Sequence, residues 1–200
     1  MSCLNELCLS TTQPAHKLPA HSTALLLLSA MPIPALLHYF GNTILPDALV
    51  TTVAALVPYT IASPYEALLL AVCSCYVPWT FGVAIKSSVT KPDNVNPRKQ
   101  NAALAATNPA FARCQAAEQN MLESFPYFAA AVLACVQAGV ASETVCKYAT
   151  FWLVARVAFC IMYPLASNAP LSLIRTGTFM AAATCTGKLF AMAMAASSSS

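Results

Sequence analysis

Charge leaves long gaps in this chain, and the gaps share one length. Glu66 and Lys86 bracket nineteen uncharged residues, Ala67–Ile85, and Glu123 and Glu143 bracket nineteen more, Ser124–Ser142. Tyr148–Ala166 is apolar apart from Arg156, and Leu171–Ala195 is apolar apart from Arg175 and Lys188. Nineteen helical residues rise about 28 Å, close to the hydrocarbon thickness of a bilayer. The spacing predicts four core helices and an all-α integral membrane protein, a four-transmembrane-helix bundle. Pro78 should kink the first core helix, and Pro126 should sit in the first turn of the second, where its missing N–H is harmless. Composition agrees. Charged residues are 8% of the chain, where a soluble domain carries roughly 25%. Hydrophobic residues are 58% and mean hydropathy is +0.63. There are too few charges to coat a soluble surface, which argues against a soluble enzyme or a disordered chain. The net charge of +3 is modest, and no basic stripe is interleaved with aromatics as nucleic acid would need.

The nine cysteines are odd in number, and Cys73, Cys75, Cys135, Cys160 and Cys185 lie in apolar runs, where cysteine acts as a small hydrophobe. Cys73 and Cys75 are two apart, so on a helix they face different sides and make no metal clip. All three histidines (His16, His21, His38) fall in the first 38 residues. No H-E-x-x-H, G-x-S-x-G or Gly-rich phosphate loop is present, and there are only five glycines. No metal site is expected.

Lys86, Lys91, Arg98, Lys99 and Arg113 are five of the ten basic residues and lie between the first two core helices. The positive-inside rule places loop 86–123 in the cytosol. The turn around Cys146–Lys147 is then outside, Pro164–Pro170 cytosolic, and the serines 197–200 outside. Residues 66–195 read as the membrane domain and 196–200 as a Ser-rich tail. Residues 1–65 read as an N-terminal extension holding seven of the fourteen prolines. Its apolar runs Ala24–Phe40 and Ala48–Ser63 are each an additional span or an interfacial segment. Its head is a weak match to a signal peptide, because the basic n-region is nearly absent. Small residues recur every fourth position at Ala130, Ala134 and Ala138, and at Ala183, Gly187, Ala191 and Ala195, spacing that favours close helix approach in lipid.

An arginine near mid-bilayer costs about 2.5–3.5 kcal/mol on insertion scales, so it needs a partner or a function. Arg156 is near the middle of the third helix, and Tyr163, seven residues on, shares its face. Its structural reading is an ion pair with Glu123. For Arg175, near the cytosolic end where the fourth helix begins, the structural reading is snorkelling to the headgroups. Arg113, Asn120 and Glu123 form one stripe at i, i+7 and i+10. Asn120 and Glu123 abut an apolar span and should point into the bundle.

The segment KPDNVNPRKQNAALAATNPAFARCQAAEQNMLESFPYFAAAVL, from Lys91 to Leu133, resembles the MAPEG superfamily, the membrane-associated proteins of eicosanoid and glutathione metabolism. ARVAFCIMY (Ala155–Tyr163) and APLSLIRTGTF (Ala169–Phe179) carry the resemblance further, and it covers about Glu66 to Ala195. It looks closest to the short, mostly bacterial-type branch. The resemblance implies a four-helix bundle, usually a homotrimer, with sites between subunits near the cytosolic side. It implies glutathione as the cofactor, with Arg113, Asn120, Glu123, Arg156 and Tyr163 binding or bracing it. Arg175 matches the arginine that stabilises the glutathione thiolate. The chemistry fits, since a guanidinium favours a thiolate and its fork suits carboxylates. The sequence departs from the eicosanoid members at Ala116 and Gln119, where they carry arginines, at Glu118, where the usual residue is histidine, and at Phe159, usually polar.

Two functions follow. One is a glutathione-dependent transferase or peroxidase acting on a lipophilic small molecule. The other is a non-catalytic scaffold that keeps the fold without glutathione. A transporter lacks the inverted repeat and broken, charged helix it would need. The membrane would be the endoplasmic reticulum or another endomembrane in a eukaryote, or the inner membrane in a bacterium.

Overall fold

The computed structural model describes residues 45–198, all helix and connection without a strand. The apolar run Ala24–Phe40 lies outside the described residues. The helices are α1 (Asp47–Leu56), α2 (Pro64–Ser74), α3 (Val77–Val89), α4 (Pro97–Thr107), α5 (Pro109–Gln137), α6 (Ser142–Leu165) and α7 (Ala169–Ser197).

Side-chain caps and prolines set most starts. Ser63, Asn108 and Asn168 accept hydrogen bonds from the backbone N–H groups of Glu66, Phe111 and Leu171, and each precedes a helix with proline in its first two positions. The first core helix is broken as Pro78 required. α2 closes in a tight turn at Cys75–Tyr76 and α3 resumes at Val77. Together they form the 26-residue apolar stretch Pro64–Val89, long enough to cross a bilayer, as are α6 and α7. α5 has the length, 29 residues, but polar side chains occupy its first half. It completes the four-helix bundle by packing against α6, α7, α2 and α3.

Three boundaries differ from expectation. Pro126 lies inside α5, because the polar stripe ahead of it is already helical. The carbonyl one turn earlier therefore loses its helical donor. The turn between α5 and α6 is at Ala138–Ala141, not at Cys146–Lys147. Gly139 takes φ 75°, its N–H bonds Val136 O at 3.2 Å, and Val140 N–H bonds Cys135 O at 3.0 Å. That pair of bonds is the Schellman stop, which favours glycine at this position. Glu143 and Lys147 then ion-pair on the first turns of α6 at 2.8 Å rather than lying in the turn. Ala48–Ser63 yields only the ten-residue α1, about 15 Å long and too short to span. Pro58 forces the residue before it out of the helical region, and Val57 has ψ 122°.

α5 and α7 run from the α4 loop end of the bundle to the far end, and α6 returns. The core is built from Phe128, Val132, Cys135, Ala149, Trp152, Cys185 and Leu189 among others. Phe128 and Trp152 stack at 4.0 Å between centroids. A second cluster, Cys75, Ala117, Met121, Phe159 and Cys160, lies toward the loop end. Of the small-residue rows, Ala134 and Ala138 are half-buried against the core, and Gly187 and Ala191 are half-buried as well. Ala131, Ala182 and Ala193 are buried, whereas Ala130, Ala183 and Ala195 are exposed. Cys73 is exposed and Cys75 buried, and the seven described cysteines are all free thiols.

Candidate functional site

The first half of α5 presents Asn120 and Ser124 one turn apart, and α6 delivers Arg156 between them. Arg156 is 1% exposed. Its Nη2 donates to Asn120 Oδ1 at 2.8 Å, to the Asn120 carbonyl at 3.1 Å and to Ser124 Oγ at 2.7 Å. Its Nε donates to Met121 Sδ at 3.1 Å. Phe159, Phe179 and Trp152 surround the guanidinium, their ring centroids 4.5, 5.7 and 5.8 Å away. Such contacts hold a cation by about 0.5–2 kcal/mol each. Nη1 has no hydrogen-bond partner among the described residues. No fully buried side-chain polar atom there is left unpartnered, so Nη1 retains an opening.

Arg156 also lines a cleft of about 330 Å³ between α5 and α7, with α6 as its floor. Asn120, Glu123, Ser124 and Arg156 supply its polar side, and Tyr127, Trp152, Phe179, Ala182, Ala183 and Thr186 the rest. Small-molecule sites have this make-up, mostly apolar with a few convergent polar groups. Met121, Ser124 and Trp152 escaped the sequence reading. Four-residue spacing from Asn120 to Ser124 and from Trp152 to Arg156 was the available signal.

The predicted site residues fall into two groups. Asn120, Glu123 and Arg156 share the cleft. Arg113, Tyr163 and Arg175 gather instead at the loop end of α6 and do not line it. Arg113 Nε donates to the Pro164 carbonyl at 2.9 Å. The Arg175 guanidinium lies 4.6 Å from the Tyr163 ring centroid, and its Nη2 donates to Ser172 Oγ at 3.0 Å. Arg175 is half-buried. Phe159 joins the groups, since it touches Arg156, meets Tyr163 edge-on at 5.1 Å and packs against Phe179.

The ion pair expected between Arg156 and Glu123 does not form. Among the described residues the ion pairs are Glu143–Lys147 and Asp47–Lys188. Glu123 accepts from Gln119 Nε2 at 2.8 Å and points outward at the cleft rim, contrary to the inward orientation expected. Residues three apart on a helix diverge by about 60°, so Asn120 can face Arg156 while Glu123 stays at the edge. Beside that rim, Gln115, Glu118, Gln119 and Leu122 line a shallow groove with Glu123. Ala116 and Gln119 are exposed. Among the described residues no group of three or more His, Cys, Asp or Glu side chains could hold a metal.

The sequence pattern of the MAPEG family matches residues 63–195, two thirds of the chain. The chain belongs to the MAPEG family. The matched stretch contains every residue of the cleft, while α1 lies ahead of it. No curated protein and no solved structure matches this MAPEG chain significantly. It is an all-helical integral membrane protein, with the bilayer as its solvent.

Proposed function

We propose that the cleft binds glutathione and that the protein is a glutathione-dependent transferase or peroxidase acting on lipophilic electrophiles. One observation carries this reading. Arg156 is a buried cation with no carboxylate partner among the described residues, and it lines a cleft. A buried charge without a counter-charge is costly, and an anionic ligand would supply one.

The residues fit the tripeptide. Its carboxylates suit the Arg156 guanidinium, supported by Asn120 and Ser124. Its ammonium suits Glu123 at the rim. Trp152, Phe179, Ala182 and Ala183 give an apolar wall for a lipophilic partner. Arg175 lies one turn from Phe179 on α7, and its guanidinium has no acidic partner among the described residues. The sulfur end of the tripeptide, on this reading, reaches past Phe179 toward Arg175, which favours the thiolate over the thiol and makes the sulfur nucleophilic. In this reading Arg113 and Tyr163 brace the α6 end beside Arg175. The active form, on the same reading, is a homotrimer in which a neighbouring subunit covers the open side of the cleft, and the basic loop 86–123 lies in the cytosol.

A second reading, a scaffold that has given up glutathione, draws on Ala116 and Gln119, whose side chains bring no cation to the exposed face of α5. Calorimetry on the purified protein in detergent separates the two. The enzyme reading expects saturable glutathione binding and thiolate absorbance near 240 nm, with the absorbance lost in Arg175→Ala. Absence of both signals in the intact protein would sink it.

A further inference from the structure

The far end of the bundle holds a charged cluster that the cleft does not use. Lys188, on α7, is 7% exposed. Its Nζ bonds the Asp47 carboxylate and donates to the Leu45 carbonyl at 3.4 Å. The Tyr148 hydroxyl donates to the same carboxylate oxygen, and the ammonium lies 5.6 Å from the Tyr148 ring centroid. Leu45, Val50 and Ile61 are buried in the core that holds Ala149 and Trp152. The lysine and tyrosine belong to the family-matched stretch. The aspartate and the three apolar anchors all precede it.

The pair is asymmetric. The Lys188 side chain is 9% exposed and that of Asp47 is 76% exposed. Without its partner the acid can be hydrated, whereas the ammonium stays in the bundle. Tyr148, Trp152 and Arg156 follow at four-residue steps, so they share one face of α6. The cluster therefore grips one end of a row whose other members line the cleft.

We propose that Asp47 is the obligatory counter-ion of Lys188. Residues 45–62 then fold as part of the membrane bundle and fix the α6 face that carries Trp152 and Arg156. This holds whatever the cleft binds. The test uses the full chain in detergent, comparing thermal unfolding of Asp47→Asn, Lys188→Met and the double variant. Asp47→Asn should lower Tm by about 5 °C or more. Lys188→Met should lower it less, because the acid left behind is exposed. The double variant should recover to the Lys188→Met level, a coupling that independent sites do not show. With Trp79→Phe added, Trp152 is the remaining one of two tryptophans. Its emission should shift in Asp47→Asn and return when Lys188→Met is added. The proposal is overturned by Asp47→Asn as stable as the parent, by a double variant no better than Asp47→Asn, or by unmoved Trp152 emission.

Discussion

Lys188 and Arg156 are both buried cations of the helical bundle, and they are satisfied in opposite ways. Lys188 meets a carboxylate that is itself held by a tyrosine. Arg156 meets an amide, a hydroxyl, a thioether and three aromatic faces, all without charge. A charge closed by an opposite charge is complete and points to architecture. A charge held only by neutral groups, in the lining of a cleft, leaves a place for an anion. Both side chains are nearly inaccessible, so depth does not distinguish them; the partners do.

Trp152 stands between the two cations, stacked on Phe128 and lining the cleft. Trp152→Ala should have the largest effect, lowering unfolding free energy by about 3–5 kcal/mol. Chemical denaturation in detergent would measure it. If the contrast between the ends is right, the same variant also loses glutathione binding. Retained binding in a destabilised protein would move the ligand out of this cleft.

Arg156→Met tests the contrast directly. Hydrogen bonds to charged groups contribute about 1.5–3 kcal/mol, so glutathione Kd should rise about 10- to 100-fold. Lys188→Met should leave Kd within about twofold, since its charge is already matched and lies outside the cleft. Calorimetry on both variants decides it. Equal losses would mean that the two cations do not play different parts. Arg175→Ala should act more narrowly, with binding largely kept and the absorbance near 240 nm gone.

Much of this was legible in the sequence because bilayer physics is coarse. Uncharged runs of nineteen residues announce membrane helices, and Pro78 announces a break, but the run Ser124–Ser142 also holds the turn Ala138–Ala141. The stripe Arg113, Asn120, Glu123 was legible as a helix face, but its partners were not. Opposite charges in a sparse chain invite pairing, which is why Glu123 was matched to Arg156. The geometry prefers Asn120 and Ser124 because they face α6 and Glu123 does not. Lys188 and Asp47 are 141 residues apart, and no local pattern joins them. The small-residue rows are packing faces only in part, since Ala134 and Ala138 meet the core while Ala130, Ala183 and Ala195 are exposed, and alanine spacing alone does not separate them.

The smallest effect expected is a pH dependence confined to the far end. Asp47 has its pKa lowered from 3.8, first by the hydrogen bond from Lys188, then by that from Tyr148. Its folded pKa therefore lies below the unfolded one. The stabilisation is complete about one pH unit above the unfolded value of 3.8 and is lost progressively as pH falls through the folded value. Only the start of that loss is reached by pH 4, so the change in Tm between pH 6 and pH 4 should be small and downward. Lys188→Met removes the largest cause of the shift and should flatten this acid limb. Arg156→Met should leave the limb unchanged, because no carboxylate pairs with the guanidinium among the described residues. Unfolding curves for the three proteins across that range separate the cases. An acid limb that persists unchanged in Lys188→Met would assign the pH dependence to another carboxylate and remove Asp47 from its role at the far end.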